Sequence, residues 1–190
     1  VELFKKNIRK LFNHFFLYHS FGKNLLLDSG TNSKNITVIT NVGNTKKFIE
    51  LSKLKIPKIE AKKELGLKNN ITLLFIGALD ENKKPTKLFE IKDSLGINVN
   101  LIFLGNGPML NEIIDLKKGS SNVLVPGYVN SNIELYLSAS DIVIVPGRGG
   151  INISESLAFG LPVIVHQADG IEYDLITNGK NGFILPNDNT

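Results

Sequence analysis

The chain has 190 residues, 42% of them hydrophobic and 21% charged, which is enough apolar material for a packed core and excludes disorder over most of its length. No apolar run approaches ~18 residues, the start VELFKKNIRK has no cleavable signal pattern, and the absence of cysteine excludes disulfides, thiolate metal sites and cysteine nucleophiles. The net charge of +4 divides into 18 Lys/Arg against 9 Asp/Glu over residues 1–95 and 4 against 9 over residues 96–190; the positives are spread through helical patterns and a linker, which reads as solvated faces and not as a nucleic-acid platform.

Taken in order, residues 1–21 place Phe4, Ile8, Leu11 and Phe15 on one helical face, with Lys5, Lys6, Arg9 and Lys10 around it. ITVIT (36–40) reads as a strand and NVGNTKKFIE (41–50) as turn and linker. One helix and one strand close no core, so residues 1–57 read as the remnant of another domain. Beyond it the pattern alternates. ITLLFIG (71–77), NLIFLG (100–105), NVLVPG (122–127), DIVIVPG (141–147), PVIVHQ (162–167) and GFILP (182–186) are short apolar runs that predict buried strands. Between them, KLFEIKDSLG (87–96), PMLNEIIDLKKG (108–119), NIELYLSAS (132–140), ISESLAFG (153–160) and a short stretch at 171–177 have helical spacing. Apolar strands joined by amphipathic helices predict a parallel sheet covered on both faces, a doubly wound α/β domain over residues 58–190.

In such sheets ligands bind at the carboxyl ends of the strands, near helix N-termini. The loop 146–155 reads PGRGGINISE, and its glycines let several backbone N–H groups converge where a phosphate could sit. Arg148 stands in this loop and is one of only two arginines beside 20 lysines, so a bidentate phosphate contact is the preferred reading over an ion pair with a surface carboxylate. Glu155 is either a carboxylate at the helix start or an acceptor for ribose hydroxyls. Lys83 and Lys84 follow the first of the six strands closely enough to reach the same phosphates. His14, His19 and His166 are too scattered to suggest zinc, and no metal is expected.

The ordered series IGALDENKKP, LIFLGNGPML, VLVPGYV, LYLSASDIVIVPGRGG, ISESLAFGLPVIV and NGKNGFILP resembles the nucleotide-sugar domain of glycosyltransferase family 4, in the group 1 glycosyl transferases. Six weak motifs in one order over residues 71–186 carry the likeness, and ITVITNVGNTKKF is similar to the segment where that family's first domain hands over to the second. The resemblance implies a Rossmann-like, C-terminal half of a GT-B enzyme, truncated at its own C-terminus, with the acceptor domain largely missing. It implies Lys83 on the donor diphosphate, with Lys84 as the alternative, and Glu155, the second glutamate of an E-x7-E motif, on the ribose. Gly77, Gly105, Asn106, Gly107 and Pro108 fall beside the nucleotide, Tyr128 and Val129 along the base, and Gly149, Gly150 and Ile151 against the diphosphate and sugar. Two departures stand out: Gly147 replaces the first glutamate of E-x7-E, and Ala78 replaces an arginine after the strand glycine.

The resemblance therefore implies a retaining, metal-independent hexosyltransferase. It would need no cofactor and would take a UDP- or GDP-sugar as donor and a glycan or lipid-linked acceptor. Bacterial surface polysaccharide synthesis is the expected setting, on the cytoplasmic side, with peripheral contact between the basic N-terminal helix and the membrane as one role for that helix and packing on the missing domain as the other. The fragment alone is expected to be inactive. The competing reading is a non-catalytic nucleotide-sugar-binding module, favoured by Gly147 and Ala78. A dinucleotide dehydrogenase is disfavoured because no strand ends in G-x-G-x-x-G.

Overall fold

The computed structural model describes residues 11–186. It contains two sheets. The smaller pairs β1 (Phe15–Leu17) with β2 (Ile36–Val38) in parallel, Phe15 against Ile36 and Leu17 against Val38. Helix α1 (Ser20–Asp28) follows β1, and a single 3-10 turn, Ser33–Asn35, leads into β2. The helix expected over residues 1–21 is thus corrected at its end: Phe15 belongs to a strand. The spacing of Leu11 and Phe15 fits a helix locally, yet the backbone groups of 15–17 find ladder partners 21 residues away, and pairing of that kind overrides local preference. Phe4, Lys5, Lys6, Ile8, Arg9 and Lys10 lie outside the described residues.

The linker expected at 41–50 is also corrected. Helix α2 (Thr45–Ser52) starts where the Asn44 side chain accepts from the Lys47 N–H at 3.1 Å. It buries Phe48 (5% exposed) and packs Leu51 on the main core. Helix α3 (Lys58–Glu64) follows Pro57 and buries Ala61.

The main sheet has six strands: β3 (Ile71–Ile76), β4 (Val99–Leu104), β5 (Val123–Gly127), β6 (Ile142–Val145), β7 (Val163–His166) and β8 (Gly182–Leu185). All neighbours are parallel, in the order β5-β4-β3-β6-β7-β8. Between them run α4 (Lys87–Ser94), α5 (Leu110–Lys117), α6 (Ile133–Ala139), α7 (Ile151–Phe159) and α8 (Glu172–Leu175). The doubly wound prediction holds in every strand and crossover of this sheet.

Both faces are covered, which is why the strands are apolar throughout. Leu74, Ile102, Leu104, Val143 and Val145 point to one face and meet Phe48, Ala61, Leu137, Ile153 and Phe159. Leu73, Phe75, Leu101, Phe103 and Ile144 alternate onto the other, under Leu88 and Ile113. Each fully buried side chain of this size contributes about 1.5–3 kcal/mol of transfer free energy. At the amino-terminal edge Lys62, 3% exposed, donates to Asn70 O at 2.6 Å and to Asp141 Oδ2 at 2.9 Å. Burial would push the Asp141 carboxyl up, but hydrogen bonds from Lys58, Lys62 and the Thr72 N–H outweigh it and hold the group below the usual carboxylate range.

The small sheet and α1 lean on the main unit. Phe21 stacks on Tyr173 at 5.8 Å, and the Ser20 N–H donates to Asp174 Oδ2 at 2.7 Å. Among the described residues no helix is long and apolar enough to cross a membrane.

Candidate functional site

The strand order reverses between β3 and β6, so the crossovers leaving these strands go to opposite faces and their carboxyl ends part. A cleft of about 630 Å³ opens there. Of the residues singled out from the sequence, Gly77, Lys83, Gly105, Asn106, Tyr128, Val129, Ile151 and Glu155 line it. Gly107, Pro108, Lys84, Arg148, Gly149 and Gly150 do not.

Two of the glycines are needed for packing. Gly105 has φ +147, and a methyl group there would overlap the Gly77 carbonyl, lying 2.9 Å from its carbon. Gly107 packs as closely on the Leu79 backbone, with a methyl group 2.8 Å from Leu79 N. The loops after β3, β4 and β5 can therefore be stitched into one layer: Gly77 N–H donates to Leu104 O and Gly105 N–H to Gly127 O, each at 2.9 Å, and Leu79 N–H donates to Asn106 O at 3.0 Å.

Lys83 joins the two sides of the reversal. Its backbone N–H is held by Asp80 Oδ1 at 3.0 Å, and its Nζ donates to Arg148 O at 3.1 Å and Gly149 O at 2.8 Å. Burial lowers the Lys83 pKa from its usual 10.5; Asp80 and Asp169 oppose that shift and Arg148 adds to it. The neighbouring Lys84 is exposed, in a left-handed conformation at φ +49. Gly147 sits flat against the turn of Lys83: a methyl group there would lie 2.7 Å from Lys83 C and 2.8 Å from its Cα, and Arg148 N–H donates to Asn82 O at 2.8 Å. No side chain fits at position 147 without moving that turn.

Arg148 is placed differently from the preferred reading. Its side chain is 67% exposed, and Nε donates to Asp169 Oδ2 at 3.0 Å. The ion pair with a loop carboxylate is the arrangement found. The rarity of arginine in this chain singled the residue out, but rarity carries no information about direction.

Helix α7 begins at Ile151, with Gly150 before it and no side-chain cap; Ile153 N–H donates back to Gly150 O at 3.2 Å, and the positive end of the helix lies at the cleft, where Ile151 and Asn152 line it. Glu155 is therefore one turn into the helix and not at its start. Its Oε1 accepts from the Asn44 N–H at 3.2 Å, and next to it Gly43 N–H donates to Ser154 Oγ at 2.9 Å. The segment 43–44 thus crosses over α7, and Gly43 packs against the Glu155 carboxylate with no room to spare.

Several cleft residues escaped the sequence reading, Asn44, Lys47 and Asn152 among them. Asn44 and Lys47 enter from α2, which was expected as linker; the Asn-x-x-Lys start of a capped helix was the available signal. Asn152 follows Ile151 on α7, and its Nδ2 donates to Ile76 O at 2.6 Å.

This arrangement offers an ammonium, uncapped helix amides, a carboxylate and an aromatic side chain around one crevice. It suits an anion with a polar, partly planar extension. No curated protein matches the sequence significantly. Solved structures with the same fold are numerous. A glycosyltransferase from Rickettsia africae is 22% identical with a TM-score of 0.72, over 93% of this chain and 50% of that one. Anabaena Alr3699/HepE in complex with UDP is 20% identical with a TM-score of 0.71, over 92% and 50%; its UDP-glucose complex gives 21% and 0.70 over the same shares. The chain thus spans about half the length of these similar chains, and its sheet is the Rossmann-like fold found in one half of GT-B enzymes. The family model described as "Glycosyl transferases group 1" matches residues 57–190, well over half of the sequence, and the chain belongs to that family.

Proposed function

We propose that this chain is the donor-binding, C-terminal half of a family 4-like, retaining glycosyltransferase, and that a UDP- or GDP-sugar occupies the cleft at the β3/β6 reversal. Residues 58–190 form the donor domain, and residues 1–57 belong to the acceptor domain and hinge. The observation that carries the reading is the convergence of Lys83, the α7 N-terminus, Glu155 and Tyr128 on one cleft. The diphosphate takes Lys83 and the amides at Gly149, Gly150 and Ile151. The ribose takes Glu155, and the base lies along Asn106 to Pro108 and Tyr128–Val129. HepE, which holds UDP and UDP-glucose, supports a nucleotide-sugar ligand.

In the reaction so proposed, the bond between C1 of the sugar and the diphosphate oxygen breaks. An acceptor hydroxyl forms its new bond to C1 from the same face, and its proton passes to the departing diphosphate. Catalysis is then positioning plus stabilisation of the leaving charge, with no cofactor and no protein nucleophile. The acceptor, a glycan or lipid-linked sugar, comes with the other half of the enzyme. Bacterial surface polysaccharide synthesis at the cytoplasmic face of the membrane is the setting we propose, and the basic segment 5–10 is offered for anionic lipid.

Titrating UDP, GDP and ADP against the folded chain by thermal shift tests the reading. A true ligand at 100 times its Kd adds about 2.7 kcal/mol of stability. Absence of a shift with all three nucleotides refutes it. The close packing of Gly147 on Lys83 favours a second reading, a nucleotide-sugar-binding module without transfer, because no carboxylate can stand there. Donor hydrolysis or transfer by a protein carrying both halves separates the two.

A further inference from the structure

Four buried side-chain polar atoms among the described residues lack a hydrogen-bond partner, and only one belongs to a residue that lines the cleft: Asn152 Oδ1. Asn152 is 7% exposed. The contact of Nδ2 with Ile76 O, at 2.6 Å, requires an N–H donor and so fixes which end of the amide is the carbonyl. A buried acceptor left unmade is costly, and such an atom at a ligand site marks a bond completed by the ligand.

The missing partner must be a donor. A methyl group at Gly150 would lie 3.5 Å from Asn152 Oδ1 and 3.5 Å from Lys83 Nζ, so acceptor and ammonium flank one point at the start of α7. A diphosphate at that point offers acceptors only. Two groups adjoin a diphosphate and carry O–H donors, the ribose and the transferred sugar; the ribose is given to Glu155 above, which leaves the sugar. We infer that Asn152 Oδ1 accepts a hydrogen bond from a hydroxyl of the transferred sugar, which makes Asn152 a specificity-determining residue. This rests on the nucleotide-sugar reading above and adds to it the residue that distinguishes a sugar nucleotide from its nucleoside diphosphate.

The test is calorimetric titration of wild type and Asn152→Ala with UDP, UDP-glucose, GDP and GDP-mannose. The expected result is that affinity for the nucleoside diphosphate stays within about twofold, while affinity for the matching sugar nucleotide falls roughly 3- to 10-fold, the effect of one neutral hydrogen bond. The deoxy-sugar series of the donor that binds best gives a second measurement, on wild type alone. One deoxy position should lose the same factor, and Asn152→Ala should not distinguish that analogue from the parent donor. Equal losses for nucleoside diphosphate and sugar nucleotide, or a selective loss on removing the ribose 2′-hydroxyl, overturn the assignment while leaving nucleotide binding intact. If Asn152→Ala does not fold, a wild type indifferent to every deoxy position overturns it. A wild type that binds none of the four ligands refutes the nucleotide-sugar reading itself.

Discussion

Gly43→Ala tests whether Glu155 is placed by the segment that crosses over it. Gly43 has no left-handed backbone, so alanine strains nothing locally. Its methyl group would, however, lie 2.5 Å from Glu155 Cγ and 2.6 Å from Cδ. Ordinary contact between such atoms begins near 3.5 Å, so the carboxylate must retreat by about 1 Å. Because the obstacle is a flexible, half-exposed side chain, the fold absorbs the change at about 0.5–1.5 kcal/mol of rotamer energy. The retreat breaks the 3.2 Å bond from the Asn44 N–H and moves the carboxylate away from the cleft position it now occupies. If Glu155 accepts from ribose hydroxyls, the lost charged hydrogen bonds contribute about 1.5–3 kcal/mol, a fall of roughly 10- to 150-fold in UDP affinity. Calorimetry on Gly43→Ala, Glu155→Gln and the double variant measures this. The two single losses should not add, because both remove the same contact. Affinity within twofold of wild type for Gly43→Ala, or losses that add in full, would refute the placement.

Lys83 should set an alkaline limit on nucleotide binding. Its pKa lies below 10.5, so UDP affinity should fall as pH rises through that lowered value, and Lys83→Gln should flatten the profile. Lys62→Met should destabilise the fold by roughly 1–3 kcal/mol by removing a buried ammonium from Asn70 O, which keeps only two longer contacts of 3.4 Å, and from Asp141 Oδ2, which keeps the Thr72 N–H, as read by denaturant melts. The Asp141 contribution is present above the usual 3.8 and is lost as pH falls through the depressed folded value, so Asp141→Asn should lessen the acid sensitivity of unfolding. Gly105→Ala, which drives a methyl group into the Gly77 carbonyl at φ +147, should lower the melting temperature and abolish nucleotide binding together; an intact melt would contradict the close stacking of these loops.

The main sheet was legible because each of its strands is a short apolar run closed by glycine, proline or a polar turn, and each crossover has helical spacing. The first 57 residues were less so. Phe15–Leu17 is a strand only because Ile36–Val38 lies beside it, a fact no local window contains. Thr45–Ser52 offers just two apolar residues to the core, Phe48 and Leu51, and so looked like a linker. In the site, the glycine-rich loops announced where backbone and ligand could meet, and eight of the expected residues line the cleft. For Arg148 the sequence could not show the ion pair that the structure has, because its partner Asp169 sits 21 residues on, beyond any local window. Asn152 was overlooked because an asparagine near a helix start is ordinary until its burial and its empty oxygen are seen.

The bonds from Lys83 to the carbonyls of Arg148 and Gly149 give that residue a second occupation. An ammonium has three hydrogens, and the carbonyls take two of them. The third remains for an incoming oxygen, so an anion can dock without displacing either carbonyl. The side chain then behaves as a three-way joint, fastening the turn after β3, the loop before α7 and the guest to one nitrogen. Under the proposed function, occupancy would draw the two banks of the crevice onto a common centre, at the seam where Lys83 already ties the turn after β3 to the loop before α7.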